Sequence, residues 1–272
     1  MEVYKPSPPL SDFVDFLWLQ EGPPPLHALE RVVPTGTTEI VISLATSLRA
    51  GSSDGQALRR IGSAMLVGAH ATPFSIDTEA QRALMGIHFR PGGAYPFFAA
   101  PASCFRDARL DLADLWSPTF VSELRDRLHE DPRPAARFAI LEHALTTRMV
   151  RPLARHPAVA HVLAAVDDAP GGIRIATLRQ QAGLSARRFI ELFEREVGLT
   201  PKLFARIRRI QEVIRRVEDA NHGGWVEPAL AGGFFDQAHL IRDFRDFLDL
   251  TPTSYLARRS AMPNHIVLPG PG

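Results

Sequence analysis

Cysteine occurs once in 272 residues, at Cys104. No internal disulfide can form, and a single thiol in a chain of this size fits a reducing, cytoplasmic compartment. Cys104 reads as a small buried hydrophobe rather than an oxidant sensor. Lysine is nearly absent, with Lys5 and Lys202 the only two, so the basic charge is carried by arginine. No apolar run approaches the roughly 20 residues of a membrane span, and no membrane partner is expected. Residues 1–10 have neither a basic n-region nor an apolar core, so no secretory signal is expected. No glycine-rich phosphate loop follows a strand pattern, and no nucleophile elbow occurs. His70, His88, Glu39 and Cys104 are not spaced as a zinc motif. The expectation is a chain without resident metal, cofactor or catalytic residues.

What is present is ordinary in amount and uneven in placement. Hydrophobic content of 45% and charged content of 22% suit a soluble globular protein, and the length suits two domains. The net charge is +1, but residues 172–260 hold 15 basic against 11 acidic residues. The remainder holds 16 against 19. A basic excess confined to one end is the sign a phosphate-binding half should have.

That same end contains an internal repeat. Residues 183–201 read GLSARRFIELFEREVGLTP, and residues 233–252 read GFFDQAHLIRDFRDFLDLTP. Ser185 and Asp236 are matching N-caps, whose side-chain oxygens can satisfy free N–H groups at a helix start. Phe189 and Phe193 match Leu240 and Phe244, apolar at i, i+4 on one helix face. Each copy closes on Thr-Pro, and proline is tolerated in the first turn of a new helix. A short helical pattern ending in glycine precedes each copy, at residues 175–183 and 225–233. Helix, glycine turn and capped amphipathic helix make a helix-turn-helix unit, and two of them make a supersecondary repeat. Residues 201–218 join them, with Leu203, Ile207, Ile210 and Ile214 as a helical stripe and arginines around the other face.

The stretch from about Pro157 to Arg259 resembles the DNA-binding domain of the AraC/XylS family of transcription regulators. The residues carrying the resemblance are Ala182-Gly-Leu-Ser185, Phe189, Phe193, Gly198-Leu-Thr-Pro201, Gly233-Phe-Phe-Asp-Gln-Ala-His239, Phe244 and Leu250-Thr-Pro252. It implies two helix-turn-helix units on a connecting helix, placed in adjacent major-groove segments of double-stranded DNA. RNA polymerase is a further implied partner.

The front half reads as α+β, a β-rich core followed by helices. Strand patterns occur at residues 38–44, 64–68, 74–77 and 83–89, and helical patterns at residues 111–116, 118–130 and 134–150. Residues 51–56 read as a loop. Val33-Pro-Thr-Gly-Thr-Thr-Glu-Ile and Gly86-Ile-His-Phe-Arg-Pro-Gly-Gly93 resemble the N-terminal domain of one branch of the same family. That likeness implies a sensor domain for a small-molecule effector. The expected division is residues 1–150 for sensing and dimerisation, a hinge at 151–157, a DNA-binding domain at 158–260 and an irregular tail at 261–272. Residues 169–172 should end the first helix of the DNA-binding half. A homodimer is expected through the helices at 118–150, whose apolar residues exceed what one surface face needs.

The outward faces of the two recognition helices carry the candidate contacts. In the first they are Ser185, Ala186, Arg187 and Ile190. Arg187 can read guanine bidentately, or else serve as a phosphate contact or a solvated arginine. Glu191 departs from the basic or amide residue common in the family. In the second they are Gln237, Ala238, His239 and Arg242, with Gln237 suited to adenine and Ala238 to a thymine methyl. His239 lies beside the buried face, where a structural or phosphate role fits better than base reading. Arg209 is the connecting-helix residue expected to neutralise a phosphate, and Arg206, Arg208, Arg215 and Arg216 read mainly as a solvated face. His88 and Arg90 could line an effector pocket. The rival to a regulator is a small-molecule-binding or enzymatic front half that the helix-turn-helix pair only localises.

Overall fold

The structure, a computed structural model, describes residues 1–53, 57–169, 174–220 and 225–269. The expected loop at 54–56, the helix end at 170–172 and the tail from 270 onward lie outside the described residues. The strands are β1 (Glu2–Tyr4), β2 (Val14–Glu21), β3 (Leu29–Val32), β4 (Glu39–Ser43), β5 (Leu48–Gly51) and β6 (Arg59–Gly62). They continue with β7 (Ala64–Val67), β8 (Phe74–Asp77), β9 (Ala83–Phe89), β10 (Arg109–Asp111) and β11 (His265–Val267). All pairings are antiparallel. One sheet runs β1-β2-β9-β4-β7-β10 and the other β11-β3-β8-β5-β6.

The six-stranded sheet is covered on both faces, so its strands read as nearly continuous apolar runs. Leu17, Leu19, Ile40, Ile42, Leu66, Ile87 and Phe89 point outward into one core. Trp18, Met65, Val67 and Leu84 alternate with them and face the other sheet. This is the period-two arrangement of a pleated strand. A bulge between Val14 and Phe16 places these two even-numbered residues on opposite faces. Gly86 makes the close packing of Trp18 possible, since a Cβ there would lie 2.2 Å from the indole ring.

Helices α1 (Leu112–Trp116), α2 (Pro118–Glu130) and α3 (Pro134–Thr147) cover the outer face. Val121, Leu124, Leu128, Phe138, Leu141 and Leu145 are buried in that core. The apolar surplus expected to mediate dimerisation is therefore consumed within the chain. α3 also stops at Thr147, and Met149 and Val150 beyond it are exposed. Cys104, expected to be buried, is exposed in the short helical turn Ala102–Phe105.

The second half is helical: α4 (Pro157–Asp168), α5 (Ile175–Gln181), α6 (Ala186–Val197), α7 (Pro201–Ala220), α8 (Val226–Ala231), α9 (Gln237–Leu248) and α10 (Pro252–Arg258). The repeat holds at the level of backbone geometry. Ser185 accepts from the Arg188 amide and Asp236 from the His239 amide. Gly198 and Asp249 close the two recognition helices in the left-handed conformation, at φ 90° and 58°. Phe193 packs on Phe204 at 5.6 Å, and Phe244 packs edge-on against Trp225 at 5.0 Å. Each fully buried phenylalanine contributes about 1.5–3 kcal/mol through apolar burial.

The two halves share a core. Val33, Ala69 and Ile266 belong to the same buried cluster as the recognition helices. Gln211 Nε2 on α7 donates to the Pro34 carbonyl at 2.7 Å. Arg155 donates to the carbonyls of Pro91 at 2.7 Å and Asp12 at 3.0 Å, which ties the segment before α4 to the front half. The tail is not wholly irregular as expected. His265–Val267 pair with β3 and extend the five-stranded sheet, a long-range pairing that no local pattern in this proline-rich segment announces.

Candidate nucleic-acid interface and a buried cavity

The first recognition helix, α6, buries Phe189, Leu192 and Phe193 and turns Ala186, Arg187 and Ile190 to solvent, with Ser185 exposed at its cap. Arg187 is 90% exposed and holds Glu191 at 2.7 Å, one turn on. Water screens such a pair, so it yields readily to a competing acceptor. The second recognition helix, α9, buries Leu240, Asp243 and Phe244 and leaves Gln237, Ala238 and Arg242 exposed. The residues expected on each outward face are thus brought together there.

His239 and Arg209 stand differently. The His239 ring lies edge-on to Phe234 at 5.1 Å, and its Nε2 is 3.3 Å from Arg209. Arg209 is only 16% exposed, bonds Asp243 at 3.0 Å and lies over the Phe234 ring at 4.5 Å. Arg206 holds Asp243 at 2.7 Å and Asp246 at 2.8 Å. Asp243 is 1% exposed, so these arginines form a clasp between α7 and α9. Arg209, expected to neutralise a phosphate, here has its charge met by a buried carboxylate. Arg208 pairs with Asp167, Arg215 with Glu212 and Asp219, and Arg216 with Glu212.

Two features were not anticipated. Phe235 is 89% exposed, directly before the cap of α9. It occupies an extra position, since two residues stand between Gly233 and Asp236 and only one between Gly183 and Ser185. Arg31, on β3, reaches across the domain boundary. Its guanidinium donates to the carbonyls of Leu248 and Asp249 at the end of α9, at 3.2 and 3.3 Å, and pairs with the Asp249 carboxylate. A cation at a helix C-terminus meets both unsatisfied carbonyls and the helix dipole.

A cavity of about 150 Å³ lies between the two sheets. Phe16, Trp18, Val41, Met65, Phe74 and Leu84 give it an apolar lining, and Glu39, His70 and His88 line it as well. Met262, Pro263, Asn264 and His265 form part of its wall, so the chain beyond α10 returns to close it. Of the two residues expected in an effector pocket, His88 is there, stacked on Phe16 at 4.8 Å. Arg90 is not. It lies past the end of β9, donating to the Ser11 carbonyl at 2.8 Å and pairing with Asp15.

Inside the cavity the Trp18 indole N–H donates to Glu39 Oε1 at 2.8 Å, and His88 Nδ1 is 3.6 Å from the same oxygen. Burial alone would raise the Glu39 pKa, but His88 and Trp18 outweigh it and hold the carboxyl below its ordinary value. Burial lowers His70 to about 4, leaving a neutral ring whose Nδ1 is 3.3 Å from the Gly68 carbonyl. The other ring nitrogen, Nε2, is buried without a hydrogen-bond partner among the described residues.

The returning tail is held by Glu30, whose side chain is fully buried. It accepts from His265 Nδ1 and Gln81 Nε2, each at 2.7 Å, and from the Ser260 hydroxyl, and it pairs with His27 at 2.7 Å. Burial pushes this carboxyl up. The bonds from His265, Ser260 and His27 outweigh burial and bring it to about 2. Three of these four partners lie far from Glu30 in sequence, two of them beyond α10.

Comparison with known proteins gives two separate matches along the chain. Residues 2–111 match a domain of unknown function (DUF6597), and residues 178–258 match a helix-turn-helix domain. Over 95 residues the chain is 32% identical to XylDLEGF operon transcriptional activator 3 of Pseudomonas putida. It is 33% identical to activator 1 over 89 residues. These alignments cover 34% and 32% of this chain and only 29% and 27% of the activators. The fold as a whole resembles ToxT of Vibrio cholerae O395, crystallised with (E)-4-(8-methylnaphthalen-1-yl)but-3-enoic acid. The TM-score is 0.51 at 11% identity, over 89% of this chain and 97% of that one. A second crystal form of ToxT gives 0.50 at 10% identity, over 89% and 96%. The chain therefore joins a stretch that matches DUF6597 to a C-terminal stretch that matches a helix-turn-helix domain.

Proposed function

We propose that this protein is a sequence-specific DNA-binding transcription regulator rather than an enzyme, acting in the cytoplasm under control of a small-molecule effector. The observation that carries the reading is the pair of capped helices 51 residues apart, each with a buried inner face and an exposed outer one. Ser185, Ala186, Arg187 and Ile190 on one helix, and Gln237, Ala238, His239 and Arg242 on the other, are the proposed DNA-contacting residues. Two recognition helices fixed to one connecting helix enter successive major-groove segments, about 34 Å apart, and need no palindrome.

Control runs through the shared core. The cavity is the proposed effector site, and its wall includes the tail that follows α10. Val32 on β3 lines the cavity, and the adjacent Arg31 grips the end of α9. The two units and hinge drawn from sequence thus act as one coupled body, in which an effector shifts the population of DNA-binding arrangements. ToxT, with a similar fold, was crystallised with a small aromatic acid, which is in keeping with effector control. RNA polymerase and a second copy of the chain complete the proposed partners. The second copy docks on a surface other than the buried faces of α2 and α3.

Footprinting of the full chain on the DNA upstream of its own gene tests the reading. The expected result is a protected segment of about two helical turns, bound about a thousandfold more tightly than random DNA. Equal binding to both would reject sequence-specific regulation.

A further inference from the structure

The inference concerns what the cavity accepts, and it rests on the reading of that cavity as the effector site. Its size sets the first limit. A cavity of about 150 Å³ is the size that holds benzene when lined by apolar side chains, so one ring fills it. The second limit is polarity. Oε1 of Glu39 is taken by Trp18 and His88, while Oε2 has no hydrogen-bond partner among the described residues. His70 is 3% exposed, and its Nε2 has no hydrogen-bond partner among the described residues. Three of the donors that line the cavity are engaged, while the Gln20 and Asn264 amides line it as well. The Trp18 N–H serves Glu39, the Gln81 amide serves Glu30, and the Arg49 guanidinium, 55% exposed, faces Asp77 at 3.7 Å. Beside the apolar lining, a carboxylate oxygen, Glu39 Oε2, is thus open to a ligand.

We propose that the cavity binds a single-ring apolar molecule bearing a protonated amine, with the ring among Phe16, Trp18, Val41 and Phe74 and the ammonium on Glu39 Oε2. Opposite charges attract in a largely apolar cavity, whereas a carboxylic acid of the same shape would place a second negative charge against Glu39. The aromatic faces of Phe16 and Trp18 add attraction for a cation. The preferred charge is thus opposite to that of the acid crystallised with ToxT.

The test uses the full chain and three probes of one shape, benzylamine, toluene and benzoate, titrated by calorimetry and by ligand-observed NMR at pH 7.5. Benzylamine should bind at least about tenfold more tightly than toluene, and benzoate most weakly. In Glu39→Gln the advantage of benzylamine should disappear while toluene binding persists, a control that also reports an intact cavity. Val41→Phe, which fills the cavity, should abolish binding of both. Toluene equal to benzylamine in the parent, or benzoate the best of the three, would overturn the ligand class and leave an effector site in place. If none of the three binds the parent chain, both the ligand class and the effector-site reading fail.

Discussion

Arg187 and Arg209 are one residue type in two situations, and their surroundings decide what each can do. Arg187 is exposed on the outer face of α6 with only a screened neighbour to release. Arg209 is packed on Phe234 and bonded to Asp243. Arg187→Ala and Gln237→Ala should therefore lower affinity for the specific site by roughly tenfold to a hundredfold and relax preference at one or two base pairs. Titrations on single-base variants measure this, and unchanged base preference would reject the assignment of these faces. Arg209→Ala should instead lower thermal stability first. Residue-scale chemistry also sets the response to acid. His70 titrates at about 4 in the folded chain and about 6.5 when unfolded, so the unfolded chain binds a proton that the folded one refuses. Stability should fall as pH drops from about 6.5 towards 4. The contribution of Glu30, depressed from 4.5 to about 2, is present above about 4.5 and lost as pH falls from there towards 2. Urea unfolding across this range should show both windows, and His70→Gln should flatten the upper one while sparing the lower. An equally steep upper window in His70→Gln would remove that residue as its source.

At the scale of elements, the second helix-turn-helix unit is held by apolar packing and by the clasp from α7 to α9. Phe193 and Phe244, 1% and 0% exposed, sit in equivalent places, and either one replaced by alanine should cost about 3–5 kcal/mol. Asp243→Ala leaves Arg209 without its carboxylate and Arg206 with Asp246 alone. It should cost at least about 2 kcal/mol, the lower part of what removing one partner of a buried pair costs, because both arginines keep some solvent. Denaturant midpoints check all three. Asp243→Ala should also weaken DNA binding through misplacement of α9, although Asp243 itself is buried and faces away from the reading surface.

For the whole molecule, the telling element is the tail. Removing residues 261–272 deletes β11, takes His265 from Glu30 and opens one wall of the cavity. The melting temperature should fall by about 5 °C or more. The truncated chain should still bind DNA, since both recognition helices and their caps remain, but without a response to a cavity ligand. A truncated protein that melts and responds like the parent would place the coupling elsewhere, with the Arg31 grip on α9 as the remaining route.

The helical half was legible in the sequence because its signals are local. The caps at Ser185 and Asp236, the i, i+4 apolar pairs and the Thr-Pro closures all act within a few residues, and they placed both recognition helices and their outer faces. The strands at 38–44, 64–68, 74–77 and 83–89 were visible for the same reason. What the sequence could not determine depends on partners far apart in the chain. Arg209 carries the same local signature as a surface arginine, and only the approach of α9 brings Asp243 to it. The apolar surplus of α2 and α3 suggested a second copy of the chain until the outer face of the sheet was there to cover it. His88 and Arg90 are two residues apart, yet β9 ends between them, so one enters the cavity and the other does not. The tail has little strand signal of its own. It becomes a strand because β3 offers an open edge and Glu30 a buried carboxylate, and both are supplied by tertiary structure.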